Sequence, residues 1–352
     1  MKNKIGGILL CRDKRSEVLD IPRDKSEQKM QIDDQVFVFE ENALVPLMQG
    51  SGTNHLSRLN TIRKKPQWDR ETKIATLSID GMTVELKDWE STQVFKPNVQ
   101  KLLDTLLILL TNRQSPYQID GVNVRVHLPL KEYLDILGKP QTESSFDELR
   151  ENLKSDILPL YHASVTFSQK WGKGYRQYGQ MRIISKWEIK DNVLTVDFAP
   201  ALVEYLKKSF LMQYPVGLLK LDNRDPVALM LGRKLALHFS MYSNQRSATH
   251  NIISVRTLLD WCEMIIPSEE QIKETTQEYK RYIIIPLERA LNALQDSGII
   301  NWEYCNSKKS PLTKEQIQRA KDHCYKVISE LYICFEILNY TEIPKLEKST
   351  NL

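Results

Sequence analysis

The sequence has no long uninterrupted apolar run, and its cysteines and histidines show none of the spacings that a metal site or disulfide framework requires. Its longest apolar stretch, Leu102 to Leu110, is broken by Asp104 and falls far short of the roughly 20 residues of a membrane-spanning helix. That stretch predicts a buried helix and no membrane contact. The five cysteines, Cys11, Cys262, Cys305, Cys324 and Cys334, are odd in number, far apart and without a CxxC pair. This pattern argues against a disulfide scaffold and fits a reducing, cytoplasmic setting. The apolar patch Ile5 to Leu10 is followed at once by Arg12, Asp13, Lys14 and Arg15, with no small-residue cleavage site, so no secretion signal is expected.

Catalytic signatures are equally scarce. Neither a GxxxxGK phosphate loop nor a GxGxxG turn occurs. The histidines, His55, His127, His162, His238, His250 and His323, never stand two apart, which removes the paired-histidine metal site of a rolling-circle nicking enzyme. With HExxH also absent, no metal, no cofactor and no enzymatic activity are expected. A nuclease, primase or relaxase with a dispersed carboxylate or tyrosine site is kept as one alternative.

What the chain does have is local charge. Lys plus Arg number 49 against 45 Asp plus Glu, a formal +4, so bulk charge does not announce a nucleic-acid partner and clustering must. Lys170, Lys173, Arg176, Arg182 and Lys186 succeed one another without a carboxylate. Trp171, Tyr175, Tyr178 and Trp187 are interleaved with them or adjoin them, and Gly172, Gly174 and Gly179 let the backbone turn. A hairpin of this kind releases counterions when laid on phosphates, and its aromatic groups pack on sugars. The plainer alternative is a solvated β-loop whose charges serve solubility.

At 352 residues, two or three domains are expected from roughly 100–200 residues each. Residues 1–95 read as a small β-containing N-terminal extension, with a β-like run at Val36 to Phe39 and a hairpin from Lys73 to Leu86 around Asp80-Gly81. Residues 96–215 read as a helix at Asn98 to Asn112, a strand at Val122 to Leu128 and a short helix at Leu130 to Leu137. A long helix follows at Ser145 to Leu160, with Phe146, Leu149, Leu153, Ile157 and Leu160 on one stripe. Strands at Ser164 to Gln169, Arg182 to Lys190 and Val193 to Phe198 complete the order of a winged helix.

The order recurs in residues 216–340: a helix at Pro226 to Tyr242, an extended Asn251 to Ile253, a helix at Ser254 to Cys262, a helix restarting near Pro286 and running to Gln295, and a strand at Ile299 to Tyr304 in the place of Ser164 to Gln169. Val255, Leu258 and Leu259 follow Leu130, Tyr133 and Leu134 at an offset of 125, and Leu287, Leu291 and Leu294 follow Leu153, Ile157 and Leu160 at 134. The expected architecture is therefore α+β, two tandem winged-helix domains behind the extension, with residues 341–352 a tail.

In a winged helix the long helix reads bases in the major groove. The first such helix is largely acidic, leaving Ser144, Arg150, Asn152 and Lys154 as candidates. The second is better equipped, with Lys280 and Arg281 at its start and Arg289, Asn292 and Gln295 sharing a polar side suited to base edges. Lys308, Lys309, Lys314, Arg319, Lys321 and Lys326 form a third basic stretch, which reads either as a second wing or as an exposed helix.

The segments Lys280-Arg281-Tyr282, Pro286-Leu287-Glu288-Arg289-Ala290-Leu291 and Ile299 to Tyr304 resemble the C-terminal winged helix of plasmid replication initiator (Rep) proteins. Phe146 to Leu160 and its following strand are similar to their first winged helix. The resemblance covers about Pro97 to Ile333. It implies binding of repeated origin sequences in double-stranded DNA as a monomer and without nucleotide hydrolysis, a homodimeric form that often represses its own synthesis, and recruitment of host helicase and DNA polymerase. A transcriptional regulator with the same DNA-binding apparatus is the neighbouring alternative.

Overall fold

The structure is a computed structural model that describes residues 3–5, 8–12, 35–39, 43–49, 67–69, 71–79, 82–87, 96–113, 124–171, 175–207, 210–243, 250–262, 279–323 and 325–339. It is a mixed α and β chain. Strands β1 (Asn3–Ile5), β2 (Ile8–Arg12) and β3 (Gln35–Phe39) form one antiparallel sheet. They are followed by β4 (Leu44–Gln49), β5 (Gln67–Asp69), β6 (Ile74–Ile79) and β7 (Met82–Lys87). The hairpin expected around Asp80-Gly81 is the β6–β7 pair, with Ile79 opposite Met82; the two turn residues lie outside the described residues.

The next segment begins with α1 (Pro97–Arg113), whose Leu102, Leu103, Leu106, Leu107 and Leu109 have no exposed surface. Then come β8 (Arg125–Pro129), α2 (Leu130–Ile136) and α3 (Glu143–His162). Thr142 caps α3 by accepting the Ser145 N–H at 3.2 Å, and Leu149, Leu153, Ile157 and Leu160 bury its inner stripe. Strands β9 (Ala163–Trp171), β10 (Tyr175–Arg182), β11 (Ile184–Lys190) and β12 (Val193–Phe198) follow. Asp191 and Asn192 have φ of 50° and 59°, the left-handed pair of a two-residue hairpin turn between β11 and β12.

After α4 (Pro200–Lys207), β13 (Phe210–Pro215) and α5 (Gly217–Lys220), a second segment opens with α6 (Pro226–Ser243), β14 (Ile252–Ser254) and α7 (Val255–Trp261). A π-helical turn, Lys280–Ile284, runs without a break into α8 (Ile285–Asp296). Strand β15 (Ile300–Cys305), helices α9 (Lys314–His323) and α10 (Tyr325–Ser329) and strand β16 (Tyr332–Ile337) complete it.

Two sheets make the correspondence between the segments concrete. One has the order β11-β12-β8 and the other β15-β16-β14, both antiparallel with the last strand in the middle. In each, the first N–H of the short helix bonds the carbonyl just before that middle strand: Leu130 to Asn192 and Val255 to Leu331, both at 2.8 Å. Leu130, Tyr133 and Leu134 are buried on α2, as Val255, Leu258 and Leu259 are on α7.

Five sequence expectations change. The counterpart of β15 is β11, not Ser164 to Gln169, because β9 and β10 form a separate hairpin inserted between α3 and β11. Lys186 belongs to β11, so the basic stretch from Lys170 is not one hairpin. One glycine read as part of the turn lies within a strand: Gly179 pairs with Phe167, a position where the missing side chain weakens but does not end a strand, while Gly172 and Gly174 lie outside the described residues. The helix does not restart at Pro286. Proline there deprives an α-helical turn of an N–H, and the wider turn at Lys280–Ile284 carries the chain past it.

The fifth concerns residues 1–95, read as an N-terminal extension, whose described strands β4 and β7 pair with strands from later in the chain. Strand β4 pairs with β13 and β7 pairs with β9, giving the five-stranded order β10-β9-β7-β6-β5. Val45, Leu47 and Met48 are buried, and the Asn112 amide donates to the Pro46 carbonyl at 3.0 Å. Strand β4 is thus part of the core beside α1.

That core is continuous across both segments. At its centre Arg233 on α6 pairs with Asp104 on α1 at 2.9 Å, with both side chains at most 3% exposed, and Gln100 donates to the same carboxylate at 2.8 Å. Burial alone would push the Asp104 carboxyl up, and the guanidinium opposes that shift. A buried pair of this kind holds together only if neither partner is lost. On the preceding residue of α6, a Cβ placed at Gly232 would stand 2.4 Å from Leu218 Cδ2 and 2.7 Å from Leu294 Cδ2, so the absence of a side chain lets α8 approach α6.

Candidate nucleic-acid interface

The inner face of α8 is fixed by burial. Leu287, Ala290, Leu291 and Leu294 are at most 2% exposed, and each leucine is worth roughly 1.5–3 kcal/mol in its buried position. With that face set, helical spacing turns Ile285, Arg289 and Asn292 to the opposite side, where all three are exposed. Gln295, Arg281 and Tyr282 are exposed as well.

Ile285 is 57% exposed and Tyr282 42%, large apolar groups that the core leaves in solvent. The Arg281 guanidinium lies 5.4 Å from the centre of the Tyr282 ring, a cation–π contact that holds both at the helix entrance. Sequence reading passed over Ile285 because it lies in the apolar run Ile283 to Ile285; the signal available was that it falls off the Leu287–Leu291–Leu294 stripe. An exposed aliphatic group on such a helix suits a thymine methyl.

The polar candidates are already engaged to different degrees. Arg289, 66% exposed, pairs with Asp225 at 3.1 Å, a surface contact worth at most about 1 kcal/mol and open to exchange. The Asn292 carbonyl oxygen accepts the Trp302 indole N–H at 3.2 Å, leaving its NH2 to donate. In that state Asn292 offers one donor to a base edge rather than the donor–acceptor pair that adenine takes. Lys280 bonds Asp322, and Lys309 donates to Asn251. Lys308 is exposed in the turn after β15.

Helix α3 presents a different surface. Arg150 bonds Asp147 at 2.6 Å and the Asn192 side chain at 2.7 Å, which ties the helix to the β11–β12 turn, and Lys154 pairs with Glu151 at 2.6 Å. Both cations proposed for this helix are therefore satisfied within it or by the neighbouring turn, while Glu143, Asp147, Glu148 and Glu151 are exposed.

In the inserted hairpin Lys170 stands opposite Arg176, and Trp171 opposite Tyr175, so its basic end is the tip where β9 meets β10. Lys173 lies outside the described residues, as do the side chains of Lys170, Tyr175 and Arg176. Arg182 is exposed at the other end of β10. Lys186 is exposed on β11 with Glu188 3.9 Å away. The structure thus separates the candidates into a hairpin tip, the β11 strand and the α8 face. No helix among the described residues is long and apolar enough to cross a membrane.

No family model matches the chain, and no curated protein matches it in sequence. In structure it is similar to the Pi initiator protein, solved in complex with iteron DNA, at 11% identity and a TM-score of 0.49, covering 86% of this chain and 100% of that one. It is also similar to domains 2 and 3 of RctB, at 13% identity and a TM-score of 0.42, covering 81% of this chain and 97% of that one. Both scores are below 0.5, so what α8 and the hairpin do is read from their own residues.

Proposed function

We propose that the chain is a sequence-specific, double-stranded-DNA-binding replication initiator built on two winged helices, residues 96–215 and 216–340. The observation that carries the reading is the outward face of α8. Ile285, Arg289 and Asn292, with Gln295 beside them, line an exposed helix side over a fully buried leucine stripe, next to Arg281 and Tyr282. Arg can bond guanine, Asn and Gln a base acceptor, and Ile a thymine methyl, so one helix face carries the contacts that base reading needs.

Support for the winged-helix reading comes from the matching order of helices, the matching order of the two three-stranded sheets and the paired backbone bonds of Leu130 and Val255. The β9–β10 tip supplies sequence-independent affinity through phosphate contact, and α8 supplies preference. Opening of the origin then follows from DNA deformation and recruitment of host helicase and polymerase, with no catalytic step by this chain.

The test is a footprint of the full chain on DNA flanking its native gene. Protection of short repeated sequences is expected. Binding to all sequences with equal affinity overturns the reading.

A further inference from the structure

Between its last two strands the first unit has only the tight turn at Asp191 and Asn192, whereas the second carries α9 and α10. Helix α9 does not stand away from the molecule. Lys280 of the turn preceding α8 donates to Asp322 of α9, and Lys321 of α9 lies 2.5 Å from Glu288 of α8. The two pairs cross, each element giving one cation and one carboxylate. Glu288 also accepts the Tyr304 hydroxyl at 3.0 Å, and Lys321 lies 5.7 Å from the centre of that ring. Glu288 is therefore a strut between α8, β15 and α9, not a group free to accept from cytosine.

The remaining surface of α9 is set by its cap and its inner face. Thr313 and Gln316 exchange hydrogen bonds at 3.2 Å and 2.9 Å, closing the first turn, and Ala320 faces inward with 5% exposure. Lys314 and Arg319 are left exposed on the helix, and Lys308 in the loop before it; none of the three is in an ion pair among the described residues. Of the two α9 carboxylates, Asp322 is engaged by Lys280 and Gln318, leaving Glu315 as the counter-charge.

We propose that α9 replaces a wing in the second unit: clamped beside α8 by the crossed ion pairs, it lays Lys308, Lys314 and Arg319 on the phosphates flanking the sequence that α8 reads. The proposal rests on the reading of α8 as the base-contacting helix. It assigns α9 to affinity and leaves sequence preference to its neighbour.

The test uses the full chain with Lys314→Ala and Arg319→Ala together, bound to a random-sequence duplex and to a duplex from the native flanking DNA over a range of salt. The slope of log affinity against log salt is expected to shrink by about 1.8 on both duplexes, with their affinity ratio kept. Lys314→Arg with Arg319→Lys should retain the parent slope. Alanine favours exposed helix positions, so the fold is kept.

An unchanged slope in the alanine pair overturns the proposal. Arg289→Ala on the same duplexes separates the two ideas. If it lowers the affinity ratio while the alanine pair leaves the slope intact, the reading of α8 stands and that of α9 falls. If the parent chain itself does not distinguish the duplexes, α8 is not the reading helix and the proposal loses its premise.

Discussion

Helices α3 and α8 occupy equivalent places in two units of the same element order, and their outward faces have little in common. At the offset of 134 residues that aligns their buried leucines, the exposed Ile285, Arg289 and Asn292 of α8 correspond to Glu151, Ser155 and Leu158 of α3. The α8 face carries an arginine and an amide where α3 has a hydroxyl and an exposed leucine, and α3 places a carboxylate where α8 has Ile285, with Arg150 and Lys154 held by their own helix and turn. Burial patterns fix where a helix goes, while contact chemistry varies freely on the side that burial ignores. The shared frame is what gives the difference meaning, and the most damaging change is one that breaks the frame.

Arg233→Ala is expected to be that change. It leaves Asp104 buried without its cation, at a cost of about 3–5 kcal/mol, and it loosens α6 from α1 at the joint between the units. Urea unfolding should show the loss. Asp104→Leu with Arg233→Met, which removes both charges, should cost far less, and equal losses in the two variants would show that packing rather than charge holds the joint.

The next effect belongs to the first unit alone. Asp156 of α3 is 7% exposed, and burial pushes its carboxyl up to about 6 against the pull of Lys96 and Lys139; the equivalent position on α8 is the small apolar Ala290. The folded chain holds this proton more tightly than the unfolded chain, whose carboxyl titrates near 4. Between about pH 4 and 6 the unfolded state therefore binds fewer protons, and the Asp156 contribution to stability falls as pH rises through that window, staying low above it. Asp156→Asn is expected to gain roughly 2–3 kcal/mol near neutral pH and nothing below about pH 4. A variant equally stabilised at both pH values would place the effect outside this carboxyl.

The long helices were legible in the sequence: α3 and α8 by a buried residue every three or four positions, α6 by its leucines and phenylalanine at four-residue spacing, and α1 by an apolar run that is buried on all sides. Strand β4 was not. Leu44-Val45-Pro46-Leu47-Met48 has no alternation, contains a proline and finds its partner at Phe210–Pro215, so nothing local marks it. The β9–β10 pairing was hidden by Gly179, and the continuous entry to α8 by Pro286. At the candidate interface the cations could be counted from the sequence, but not their engagement: Arg150 with Asn192, Lys280 with Asp322 and Asn292 with Trp302 each join residues that only folding brings together.

If α8 reads and α3 does not, substitutions on the two helices should differ in kind. Arg289→Ala or Asn292→Ala is expected to cost about 1–3 kcal/mol on the preferred duplex and little on random DNA. Asn152→Ala on α3 should leave the ratio between duplexes unchanged. Competition binding at fixed salt measures this directly, and a loss of preference from Asn152→Ala would return base reading to the first unit.

The smallest effect on sequence preference is expected at the hairpin, because phosphate contacts act on every sequence alike. Lys173→Ala with Arg176→Ala should flatten the salt dependence by about two counterions and leave the affinity ratio between preferred and random duplexes intact. Arg176 stands opposite Lys170, one step beyond the Trp171–Tyr175 pair that ends the described hairpin. An unchanged slope takes this hairpin off the phosphates, and α9 would then be the source of affinity; a flattened slope together with a lost ratio would mean that the tip also touches bases. Measured against the α9 variant on the same duplexes, the two slopes apportion phosphate contact between an insertion after α3 in one unit and an insertion after β15 in the other.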